Sequence, residues 1–121
     1  MTSTEKAVTC ARAAAGKLGA DTVALDVGDV LSIVEYFVIS SAPNTRLVRS
    51  IAEEIEEKVK EAGEPGPRRI EGLDDAHWVL LDFGDVVVHV FLDETRQFYE
   101  LERLWNDVPR LAWEDSSTAR A

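Results

Sequence analysis

The chain has 121 residues, 45% hydrophobic and 30% charged, with 23 acids against 13 bases and a formal net charge of −10. That length gives one domain with a core of its own, and no apolar run approaches the roughly 20 residues a membrane-spanning helix needs. The acid excess excludes a broad phosphate-gripping surface, and two histidines with one cysteine exclude an internal disulfide and leave too few ligands for structural zinc.

In chain order, Thr2-Ser3-Thr4-Glu5 offers a capping box, and Val8, Ala11, Ala15 and Leu18 recur at helical spacing. A first helix is expected over about residues 3 to 18, with Gly19 as its left-handed stop. Cys10 falls among its alanines as a small buried filler. The N-terminus lacks both the apolar core of a secretory signal and the arginine-rich look of a transit peptide, so cytoplasmic residence is expected. Thr22 to Val27 reads as a strand, Gly28-Asp29 as a turn, and Val30 to Ile33 is ambiguous. Glu35 to Ser41 reads as a strand buried on both faces. Asn44 can cap a long second helix whose stripe Leu47, Ile51, Ile55 and Val59 runs to a stop at Gly63, with a solvated face of Glu and Lys opposite.

After the Glu64-Pro65-Gly66-Pro67 loop, Arg68 to Glu71 reads as a short edge strand. Trp78 to Phe83 and Val86 to Leu92 are β-branched and aromatic runs around Gly84-Asp85, whose φ > 0 positions make a tight hairpin. Thr95 to Trp105 changes to helical period, with Phe98, Leu101 and Trp105 on one stripe packing back on the hairpin. The order α-β-β-α-β-β-β-α implies a single α/β domain with a mixed, roughly five-stranded sheet and helices packed on it. Residues 106–121 form an extension, disordered from about residue 114, in which Leu111 and Trp113 can still dock.

Hydrolase and nucleotide-binding signatures are missing: no GxSxG, no GxxxxGK[ST], no HExxH. Asp26 with Asp29, and Asp82 with Asp85, flank two turns and leave a magnesium-dependent phosphoryl or nucleotidyl transferase as the enzymatic alternative. Asp beside Gly between strands is also ordinary turn chemistry. His89 shares a strand face with Val87 and Phe91, where a half-buried imidazole bonded to a neighbouring carboxylate or tyrosine is expected. Trp78, Leu80 and Asp82 share a face, and a tryptophan there is either core or an interface anchor. Arg96 and Tyr99 lie three apart near the start of the last helix, where a cation opposes the macrodipole, so Arg96 is expected to have a carboxylate partner.

Ala24-Leu25-Asp26-Val27, Ser50-Ile51-Ala52, Glu71-Gly72, the run Trp78 to Phe91 (WVLLDFGDVVVHVF) and Arg96 to Trp105 (RQFYELERLW) together resemble the ribosomal silencing factor, or Iojap, family. The resemblance covers about residues 5 to 105, a domain of 1–105, and leaves 106–121 outside it. Glu35 stands where many members carry Asp, and Ser41-Ala42 where Ser-Gly or Thr-Gly is usual. The resemblance implies a nucleotidyltransferase-like fold without enzymatic activity. It also implies binding to large-subunit ribosomal protein fourteen and steric blocking of small-subunit joining, which represses translation when nutrients are scarce. The nucleotidyltransferase Gly-Ser pair and following Asp-x-Asp strand are absent after Ser40-Ser41-Ala42. No cofactor, membrane or sequence-specific nucleic-acid partner is expected, and a homodimer is expected when the protein is free. An acidic protein suits a basic ribosomal partner, with charge steering the encounter and buried aromatic area holding it. The expected partner-binding residues are Trp78, Asp82, Gly84, Asp85, His89, Arg96, Tyr99 and Glu100.

Overall fold

The computed structural model describes residues 1–114. Its elements in chain order are α1 (Ser3–Gly16), β1 (Ala20–Asp26), α2 (Gly28–Leu31), β2 (Tyr36–Ala42), α3 (Thr45–Glu61), β3 (Arg69–Glu71), β4 (Trp78–Asp82), β5 (Val86–Leu92), α4 (Asp93–Tyr99) and a 3-10 segment, Leu101–Trp105. The five strands make one mixed sheet in the order β1-β2-β5-β4-β3. β2 and β5 pair in parallel at its centre, from Tyr36 opposite Val86 to Ala42 opposite Leu92, and the other neighbours are antiparallel. The central pair is buried on both faces, which is why both strands read as nearly continuous apolar runs.

Strand alternation divides the side chains between two faces. One face, with Tyr36, Val38, Val86, Val88, Val90, Val79 and Leu81, is covered by α1 and α3 and forms the main core. α1 starts on the expected capping box: the Thr2 hydroxyl accepts from the Glu5 N–H, and the Glu5 carboxylate accepts from the Thr2 N–H. Cys10 is fully buried, and burial pushes its thiol up to about 12. α3 starts on Asn44, whose side chain accepts from the Leu47 N–H at 2.8 Å. Its buried stripe is Val48, Ile51, Ala52, Ile55 and Val59, so Val48 takes the inward place expected of Leu47, which is only half-buried.

Several boundaries differ from the sequence expectation. α1 ends at Gly16, and Leu18 rather than Gly19 takes the left-handed conformation (φ 68°). Gly19 serves close packing instead: a Cβ there would collide with the Ser40 hydroxyl and sit 2.7 Å from the Ala14 carbonyl oxygen. β1 begins at Ala20, two residues before the expected strand, with a register shift between Ala20 and Val23. The expected Gly28-Asp29 turn is the start of a one-turn helix, with Gly28 N–H bonded to the Asp26 carboxylate at 3.2 Å. At the hairpin, Gly84 alone of the Gly84-Asp85 pair has positive φ (95°), and the Phe83 N–H closes the turn on the Val86 carbonyl at 2.9 Å.

The largest difference is at the last helix. A continuous helix over 95–105 was expected, but α4 ends at Tyr99, Glu100 turns left-handed (φ 48°, ψ 50°), and a 3-10 segment follows. Phe98 therefore does not lie on the buried stripe and is 79% exposed. Residues two apart on a helix point to nearly opposite sides, so only one of Arg96 and Phe98 can face the sheet, and it is Arg96.

Residues 106–114 do dock. The Asp26 N–H donates to the Pro109 carbonyl and the Leu111 N–H to the Ala24 carbonyl, both at 2.8 Å, so the segment lies along the outer edge of β1. Leu111 and Trp113 pack on the main core, and the Arg12 guanidinium donates to the Trp113 carbonyl at 2.8 Å. The remainder of the extension, for which disorder was expected, lies outside the described residues.

Candidate docking surface

The second sheet face has no long helix over it. Its buried residues are Leu25, Val27, Ile39 and Phe91, flanked by half-buried Phe37, Trp78, Leu101 and Trp105. The 3-10 segment covers the β1–β2 side, and α4 crosses the end of β5. Where this cover stops, aromatic side chains reach the surface.

Trp78 stands at that border. It pairs directly with Phe91 across the hairpin and lies diagonal to His89, which pairs with Leu80. The Trp78 indole N–H donates to His89 Nδ1 at 3.1 Å, so the neutral imidazole carries its proton on Nε2. The expected carboxylate or tyrosine partner of His89 is thus replaced by a tryptophan. Burial drives the His89 pKa down to about 4, so the ring is uncharged at neutral pH. Among the described residues its Nε2 has no hydrogen-bond partner, and neither has Trp105 Nε1. Both rings stand nearly perpendicular to Phe37, at 81° and 89°, the arrangement in which an N–H can meet a π face.

On the solvent side of Trp78 the Tyr99 ring lies 5.0 Å away, and Phe98 meets Tyr99 edge-on, also at 5.0 Å. Tyr99 is 55% exposed. A cleft of about 270 Å³ opens between α4 and the loop before β4, lined by Gly72, Asp75, His77, Trp78, Thr95 and Tyr99. Gly72 is required here, because it has φ 88° and a Cβ would collide with the Trp78 carbonyl oxygen. The loop can therefore pack tightly beneath the Trp78 backbone and fix one wall of the cleft.

The remaining sequence-predicted residues do not join this group. Asp82 is buried; its carboxylate accepts from the Gly84 N–H at 2.8 Å and lies 3.4 Å from Arg68 Nε, which holds the hairpin turn. Asp85 ties the hairpin to α1 through Lys6 Nζ at 2.8 Å and the Ser3 hydroxyl. Partial burial raises the Asp85 carboxyl pKa, but those two hydrogen bonds outweigh it and hold the group below the usual carboxylate range. Arg96 has its expected carboxylate: Nη2 and Nε donate to Glu102 at 2.6 and 3.1 Å, and that bond holds the Glu102 carboxyl low. Its other donors reach the Ala20 and Asp21 carbonyls and the Ser41 hydroxyl. Arg96 lines a second cleft of about 470 Å³ with Asp21, Asp93, Gln97, Glu100 and Arg103, but all its nitrogens are already engaged. Glu100 is exposed and pairs with Arg103 at 3.0 Å. Among the described residues no three His, Cys, Asp or Glu side chains converge to hold a metal ion, and no helix is long and apolar enough to cross a membrane.

Sequence reasoning missed Phe98 as a surface residue and missed Asp75 altogether. Phe98 was hidden by its agreement with the helical stripe. Asp75 gave no local signal beyond a polar turn.

The fold is a small, single α/β domain with a mixed five-stranded sheet, one face of which is only half-covered. The family model described as ribosomal silencing factor during starvation matches residues 1–121. A ribosomal silencing factor of Bacillus subtilis (strain 168) is 42% identical over 93 residues, 77% of this chain and 78% of that one. One of Halalkalibacterium halodurans is 39% identical over 98 residues, 81% and 83% of the two chains. A crystal structure of a Chromobacterium violaceum protein superposes with a TM-score of 0.83 at 29% identity, covering 100% of both chains. The chain belongs to the ribosomal silencing factor family.

Proposed function

We propose that this chain docks on ribosomal protein fourteen of the large ribosomal subunit and blocks joining of the small subunit by occupying space, repressing translation under nutrient limitation. The observation that carries the reading is the exposed pair Phe98 and Tyr99 beside half-buried Trp78 at the border of the second sheet face, on a chain of net charge −10. Aromatic side chains with one face exposed are the residues that most often anchor protein interfaces, and an acidic surface steers a protein toward a basic one. Silencing in this reading needs no catalysis. A body of 13.4 kDa excludes the other subunit as long as its binding outcompetes subunit association at cellular concentrations.

Against the transferase alternative, Asp26 and Asp82 each place one carboxylate oxygen on an amide of their own turn, Asp85 pairs with Lys6, and among the described residues no three acids, histidines or cysteines converge. Asp82, Gly84, Asp85, His89 and Arg96 act in this proposal by shaping the surface, while Trp78 and Tyr99 touch the partner. Cytoplasmic residence and a homodimer in the free state complete the reading, the homodimer on the strength of the family alone.

Co-sedimentation with purified large subunits tests the proposal. The protein should pellet with them and lower the yield of joined ribosomes, and the binding should weaken with salt, since attraction between separated charges is screened beyond about 8 Å at physiological ionic strength. Tyr99→Ala should cost about 2 kcal/mol of binding, roughly thirtyfold, with little change in melting. Unchanged subunit joining at an excess of protein over ribosomes would sink the assignment.

A further inference from the structure

We propose that the cleft bounded by Trp78, Tyr99 and Asp75 is a receptor for a single arginine side chain of a basic protein. The inference rests on the docking reading above and names what the aromatic group recognises.

The cleft has two chemically distinct walls. Trp78 and Tyr99 present ring surface whose negative π face attracts a cation, Trp and Tyr being strong partners for one. Asp75 supplies the only acidic side chain among the six lining residues, with the imidazole of His77 beside it, and among the described residues no lysine or arginine lines the cleft to compete. A planar guanidinium can stack flat on a ring while its N–H fork engages a carboxylate through two parallel bonds, a geometry the compact, strongly hydrated ammonium of lysine does not offer. The volume, about 270 Å³, falls below the usual range for small-molecule pockets and suits one side-chain head.

The site is also held in shape before anything binds. The Trp78 indole is fixed from behind by His89, which is neutral and so adds no opposing charge. The loop carrying Asp75 is fixed by Gly72 under the Trp78 backbone and by the Ala76 N–H bonded to the Gly72 carbonyl at 2.9 Å. A preformed receptor loses less entropy when the ligand arrives. An RNA base could stack on the same rings, but its phosphate would approach Asp75 in a protein that is already strongly acidic.

The test uses the intact chain and two arms. In the first, methylguanidinium, its neutral isostere methylurea and polyuridine are titrated while the Trp78 indole N–H resonance is followed. Methylguanidinium should give a saturable shift that methylurea does not, weakened by about threefold or more in Asp75→Asn. Equal responses to the charged and neutral probes, no effect of Asp75→Asn, or a stronger response to polyuridine would each overturn the proposal. In the second arm, affinity for purified large subunits should fall by about tenfold in Tyr99→Leu and clearly less in Tyr99→Phe, which keeps the π face. Thermal melts of each variant exclude unfolding as the cause.

If large subunits bind but Tyr99→Leu and Tyr99→Phe are equally weak, the cation receptor is wrong and the docking reading stands. If methylguanidinium binds as expected and large subunits do not, the docking reading falls and the receptor stands.

Discussion

The two faces of the sheet are built from the same strands and treated in opposite ways. The face under α1 and α3 is closed: Val38, Val79, Leu81, Val88 and Val90 have no exposure, and neither do Ile51 and Ile55 above them. The other face is covered by the 3-10 segment, Val108 and α4, and leaves Trp78, Phe98 and Tyr99 at its open border. The closed face holds the fold together, and the open face has apolar surface to spare for a partner. Aliphatic residues fill the first and aromatic rings line the second, as expected when one must pack without voids and the other must present flat, rigid contact area.

Substitutions should separate the two roles. The largest effect is expected from Ile51→Ala on the closed face, which should cost about 3 kcal/mol of stability by leaving a cavity, read from urea unfolding. A loss below about 1 kcal/mol would mean that this face repacks freely.

Acid should act next, and through the open face. The His89 pKa is depressed from 6.5 to about 4, so the unfolded chain binds a proton before the folded one does. On the acid side, stability should hold steady near pH 7 and fall by about 1.4 kcal/mol per unit between about pH 6 and 4, up to about 3 kcal/mol in all. Asp85 and Glu102, whose folded pKa values are depressed, add to the loss only as pH falls through the carboxylate range. Urea midpoints across this range should therefore be flatter in His89→Gln, and parallel curves would mean that the imidazole is hydrated.

Arg96→Met should cost about 2 kcal/mol, because Glu102 and two backbone carbonyls lose a charged donor. It should also make the 3-10 segment more open to limited proteolysis. The smallest stability effect belongs to Phe98→Ser, within about 0.5 kcal/mol, combined with a loss of large-subunit affinity of at least about fivefold. A clear drop in melting temperature for this variant would place Phe98 in the core and erase the contrast between the faces.

The closed face was the legible one. β-branched runs, an asparagine cap and a helical stripe at Ile51, Ile55 and Val59 are local signals that agree with one another, and they located α3, the hairpin and a mixed five-stranded sheet, though not the order of its strands. The open face depends on contacts between distant residues. The periodicity of Phe98, Leu101 and Trp105 spoke for one helix, but the guanidinium of Arg96 bonds to carbonyls 75 and 76 residues away. Satisfying that fork turns Arg96 inward, folds Glu102 back over it and puts Phe98 outside. Arg96 was correctly expected to have an acidic partner, although nothing in its neighbourhood said that the pairing would break the helix. The same limit applied to His89, whose partner Trp78 was visible as a face-sharing tryptophan but not as a hydrogen-bond donor.

The strand-like contact between Pro109–Leu111 and β1 bears on how the protein behaves in concentrated solution. It leaves the three-residue β3, which opens on Arg69 and is preceded by Arg68, as the free border of the sheet, and so short and charged a border is a poor template for self-association. A chain shortened to end before Asn106 would bare the main-chain groups of β1 and gain a sticky margin. Such a fragment should polymerise or precipitate where the full chain stays dispersed, so trimming this segment during purification would remove the protein from solution while leaving the proposed docking surface in place.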